Sequence, residues 1–217
     1  MEKHEVPRNN NTFDNSIFIN CPFDKEYKPL LDALLFVVIY CGYKPRIASE
    51  SLDSLQARLD KIKNLIKQSR YSIHDLSRME ARKKGELARS NMPFEVGIDL
   101  GCRTFGGSKF RSKKCLILDK KRYRYTRGFS DLAGVDIRAH KGDPEQLVRQ
   151  VRHWTCNNLK EGVRSASSIW EDFLIFSGDF KEAAKTEGFR KRDLNEMEAA
   201  EYIRFVNKWV KEKSNRE

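Results

Sequence analysis

The chain has 217 residues, 34% of them charged, and a formal net charge of +11. That length suffices for one α/β domain and an extension, and the five cysteines, odd in number and without a paired spacing, argue for a reducing compartment and against structural zinc. The longest apolar run, residues 30–40, is interrupted by Asp32 and is too short to span a bilayer, and the polar N-terminus lacks a signal core, so a cytoplasmic protein without membrane contact is expected.

Residues 1–15 read as a polar tail. Ser16–Asn20 is a short β-branched and aromatic run ended by Cys21 and Pro22, the pattern of a buried first strand breaking into a loop. Asp24 stands where a helix cap belongs, and Lys25–Cys41 carries Leu30, Leu31, Leu34, Leu35 and Val38 at helical spacing before Gly42. Tyr43–Ala48 predicts a second strand, Leu55–Gln68 a second helix and Arg70–Asp75 a third strand. A helix over Phe94–Arg103, strands over Lys114–Leu118 and Val135–Arg138, and a helix over Pro144–Thr155 complete a domain spanning 16–156.

Repeated β-α units with short connections predict a parallel sheet with helices on both faces, because parallel neighbours need crossover helices. Five strands suggest the flavodoxin-like order 2-1-3-4-5, whose ligand site lies beyond the carboxyl ends of strands 1 and 3. Residues 157–217 form a helical extension. A linker is expected at Ser165–Ser168 and helices over Ile169–Phe176, Asp179–Glu187 and Leu194–Lys213. The last helix shows an apolar stripe of Met197, Ala200, Ile203, Val206, Trp209 and Val210 that needs cover from the core domain, another helix or a second copy of the chain.

Two stretches at the predicted site carry acids. Ile73–Ser77 ends a strand in Asp75, and Asn91–Gly97 starts a helix with Glu95 in its expected first turn, where amides and the macrodipole stabilise a carboxylate. Glu95 is therefore a candidate nucleophile or oxocarbenium stabiliser, and Asp75 a second candidate catalytic residue that binds ribose hydroxyls or passes a proton to the leaving base, with capping of its own loop through Ser77 as the alternative. Asn20, Pro22, Phe23 and Asp24 in the first loop, Arg46 near strand 2, Ser77 and Arg78 after strand 3, and Asn91 at the helix start are the candidate substrate contacts. His74 points to the opposite side of its strand and reads as structural. The first loop lacks the glycines of a dinucleotide fingerprint or a P-loop.

The basic surplus is concentrated. Residues 156–217 are balanced, whereas 78–127 hold 15 basic against 5 acidic side chains. Such a belt suits nucleotide phosphates or a nucleic acid, and the run Lys120–Arg127, with interleaved tyrosines, suits a single strand or a charged lid.

Ile17–Asp24, Arg70–Arg78, Asn91–Gly101 and Ser130–His140 resemble a bacterial group of nucleotide-binding proteins and, more distantly, are similar to nucleoside 2-deoxyribosyltransferases and TIR-like domains. The resemblance covers residues 16–155. It implies a flavodoxin-like fold and cleavage of the N-glycosidic bond of a nucleoside, a nucleotide or NAD, with Glu95 as the catalytic acid, Asp75 as a sugar or base contact, and a setting in anti-phage defence. No cofactor or metal is expected, NAD being a candidate substrate. A non-catalytic nucleotide sensor relaying through the C-terminal helices, with homo-oligomerisation there, and a nucleic-acid-binding module are the alternatives.

Overall fold

A five-stranded parallel sheet of order β2-β1-β3-β4-β5 organises the chain in the computed structural model, which describes residues 12–50, 56–79, 90–122, 124 and 134–216. The strands are β1 (Ser16–Asn20), β2 (Lys44–Ile47), β3 (Tyr71–Asp75), β4 (Lys114–Asp119) and β5 (Arg138–Ala139). The helices are α1 (Lys28–Tyr40), α2 (Arg58–Lys67), α3 (Asn91–Phe105), α4 (Pro144–Asn158), α5 (Ala166–Thr186), α6 (Lys191–Glu196) and α7 (Ala199–Ser214). Among the described residues no helix is long and apolar enough to cross a membrane.

The central strands are buried on both faces, the reason they read as unbroken apolar runs rather than alternating ones. Ile17, Ile19, Ile73, Leu116 and Leu118 pack towards α1 and α4, while Phe18 packs with Ile62, Leu65 and Ile66 of α2 and with α3. Strand order reverses between β1 and β3, so the carboxyl ends of these two strands, Asn20 and Asp75, frame the crevice where such sheets bind ligands.

Helix α1 departs from the amphipathic pattern because both of its sides are covered. From Leu30 to Ile39 only Asp32 escapes burial. One side meets the sheet and α4, and the other meets α5 and α7. Phe36, with no exposed surface, sits among Tyr40, Phe173, Phe176 and Trp209 at ring separations of 5.3–5.8 Å. The α7 stripe is thus spent within the chain, with Val206 buried and Ile203, Trp209 and Val210 packed against the same apolar cluster. Asp172 adds a buried polar tie, accepting from Tyr40 Oη at 2.6 Å and from Lys213 Nζ at 3.0 Å.

Several boundaries differ from expectation for local reasons. Ser165 caps α5, its hydroxyl accepting from Ser168 N–H at 3.1 Å, so the expected linker is a helix start. The two helices expected on either side of Gly178 form one, since packing on α1 holds the helix through the glycine. Asp24 caps a turn rather than α1: its carboxylate accepts from Tyr27 N–H at 3.0 Å, and the helix begins one residue later. The last strand pairs at Arg138–Ala139 and not over Val135–Arg138.

Candidate active site at the sheet rim

The two acids singled out by sequence lie at the same end of the sheet, and the charges of both reach the Cys21 thiol. Burial raises the pKa of that thiol, and the charges of Asp75, Glu95 and Asp24 raise it further. Their environments are opposite in kind.

Asp75 closes β3 with no exposed surface. Its Oδ2 accepts from Tyr27 Oη at 2.5 Å and faces His140 Nε2 at 3.1 Å, while Oδ1 accepts from Ser77 N–H at 2.8 Å. His140 is oriented by the turn that follows it. Lys141 and Gly142 both adopt left-handed backbone, with φ of 60° and 80°, and the Gly142 N–H points back to donate to His140 Nδ1 at 3.0 Å. With Nδ1 accepting, the ring proton sits on Nε2, towards the carboxylate. Burial would push the Asp75 carboxyl up, but His140, Tyr27 and Ser77 outweigh it and hold the pKa below the ordinary aspartate value. Enclosed and bonded on both oxygens, Asp75 holds the Tyr27 hydroxyl and the Ser77 backbone in place and faces the His140 ring.

Glu95 is 6% exposed and has neither a hydrogen bond nor an ion pair among the described residues. Helix α3 starts at Asn91, three residues before the expected start, so Glu95 stands in the second turn, past the free amides. Stabilisation of its charge by the helix end is thereby corrected. Burial raises its pKa, with Arg58 and His74 pulling it only partly back. Glu95 thus combines low exposure and a raised pKa with no bond or ion pair from the described residues.

The remaining candidates divide. Asn20 is 4% exposed and clamps the scaffold: its Nδ2 donates to Met92 O at 2.9 Å and lies 3.0 Å from His74 Nδ1. His74 does point to the opposite face, where its Nε2 meets Asp99 Oδ2 at 3.1 Å. Pro22 is buried, Phe23 is 43% exposed, and Asn91 is exposed at the first position of α3. Asp24 and Glu26 pair with Arg78 at 3.2 and 3.0 Å, and Arg46 is committed to Glu50 and Gln68. Ser77 contributes its backbone to Asp75. Of the expected contacts, Phe23 and Asn91 face solvent, and Arg46 and Arg78 already neutralise acids of the chain.

Three cations of the basic belt turn inward. Arg78 makes the pairs just described. Lys113, 2% exposed, donates to Ile66 O at 2.9 Å and to Ser69 O at 2.5 Å. Arg124 reaches back to Asp119 at 2.5 Å and Leu76 O at 3.0 Å, tying the ends of β4 and β3. Much of the belt, including residues 80–89 and 125–127 and Tyr123, lies outside the described residues.

His140 has no role in the sequence reading, although it closes one of the quoted motifs. No protein-family model, curated protein or solved structure matches the chain.

Proposed function

We propose that the protein cleaves the base–sugar bond of a nucleotide, a nucleoside or NAD, as a glycosidase or a glycosyltransferase, with Glu95 as the catalytic carboxyl. The observation that carries the proposal is the state of Glu95: buried, without a hydrogen bond or ion pair among the described residues, raised in pKa, and at the rim where strand order reverses. A carboxyl whose pKa is raised lends a proton to a leaving base more readily than an ordinary glutamate, and once ionised it faces the positive charge that builds on the anomeric carbon. Asp75, ionised and enclosed, fixes Tyr27 and the start of α1 beside that rim. The exposed ring of Phe23 is placed to stack on a base, and anti-phage defence is the proposed setting.

A second reading, a nucleotide sensor, rests on α1. This one helix begins beside the rim, where Tyr27 bonds Asp75, and ends under the extension, where Tyr40 bonds Asp172. Substitution Glu95→Gln separates the two. Incubated with NAD and a panel of nucleotides and nucleosides, the wild-type chain releases free base and the variant binds but does not; binding without release by the wild type supports the sensor and removes the enzyme.

A further inference from the structure

Strand β3 turns its other face to α3, and three donors of different chemistry meet there. The imidazole of His74, the carboxylate of Asp99 and the thiol of Cys115 each place one donor atom within 4.8 Å of the other two. His74 and Asp99 are buried, whereas Cys115, beside Ser72 in the β3–β4 register, is exposed. His74 Nε2 and Asp99 Oδ2 are 3.1 Å apart, close to the separation of two ligands that each stand about 2.0–2.2 Å from one tetrahedral zinc ion. The other oxygen, Oδ1, faces Lys113 Nζ at 3.1 Å, so Oδ2 alone is available and its carboxylate is held from behind, as metal-binding carboxylates are. The cluster borders a cavity of about 180 Å³ that Arg103, Val96 and Ile117 also line.

We infer that His74 Nε2, Asp99 Oδ2 and Cys115 Sγ bind a zinc-class divalent cation, with a fourth position open to this cavity. One thiolate with one imidazole selects such an ion over magnesium or calcium. Thiolate and carboxylate bring two negative charges, of which Lys113 offsets one. Binding releases the thiol proton to solvent. The Nε2 proton of His74 leaves to solvent as well, so the ring that Asp99 holds as a cation binds the metal as a neutral imidazole. Asp99 follows Glu95 by one turn of α3, and the site lies on the face of β3 away from Asp75.

Cobalt(II) titration of the full chain, reduced and freed of metal by chelation, tests the inference. One equivalent should produce thiolate-to-cobalt charge-transfer absorption together with the d–d bands of a tetrahedral centre, and zinc should displace both. Cys115→Ser, a change at an exposed side chain, should abolish the charge-transfer band and weaken zinc binding by at least about 100-fold, while Cys156→Ser leaves both intact. Absence of the bands, or their survival in Cys115→Ser, overturns the assignment.

Discussion

The Tyr27 hydroxyl donates to Asp75 Oδ2 at 2.5 Å, joining the start of α1 to the end of β3 across the strand-order reversal. Both groups are buried, so neither exchanges this bond for water. Removing the hydroxyl leaves a buried carboxylate short of one donor, and bonds to charged groups contribute about 1.5–3 kcal/mol. Tyr27→Phe should lose stability of that order in urea unfolding, with an unchanged denaturant slope.

Acid stability should follow Asp75. Its pKa is depressed in the folded chain, so its contribution is complete above the unfolded value and disappears as pH falls through the folded one. Thermal unfolding recorded against pH should therefore show an acid limb below the ordinary aspartate range. Asp75→Asn should be less stable than the wild type at neutral pH, and the gap should narrow on that limb.

Glu95 should behave in the opposite sense. A raised carboxyl pKa means that the folded state binds the proton more tightly, so this group weakens the fold at neutral pH and weakens it less on acidification. Glu95→Gln removes the charge and keeps the shape. It should raise the melting temperature at neutral pH, and the gain should shrink towards acid pH.

The extension should prove inseparable from the sheet. Phe36 is fully buried by rings from α5 and α7, and truncating such a side chain costs about 3–5 kcal/mol. Phe36→Ala should lose that much in denaturant unfolding. A chain ending at residue 164 would bare the outer side of α1 and should aggregate, which size-exclusion chromatography reads directly.

Sheet order and most elements were legible in the sequence because strands buried on both faces announce themselves as short apolar runs between loop residues, as Ser16–Asn20 and Tyr71–Asp75 do. Helix limits were less so. The start of α3 at Asn91 depends on Asn20 bonding Met92 O, a contact between residues 72 apart that no local pattern carries. That shift decided the electrostatics of Glu95. The acids themselves were legible as strand end and helix start, but whether each had a partner was not: His140, which encloses Asp75, lies 65 positions further along the chain, and its ring is aimed by the backbone of Gly142.

Glu95 is a buried carboxyl whose pKa is raised, because Arg58 and His74 compensate its burial only in part, and a carboxyl-carbon NMR titration of the selectively labelled protein measures this. The predicted result is a resonance, missing from Glu95→Gln, that titrates above the ordinary glutamate value. A Glu95 that titrates at or below that value would mean that its charge is already compensated within the fold, and would contradict its assignment as the catalytic group.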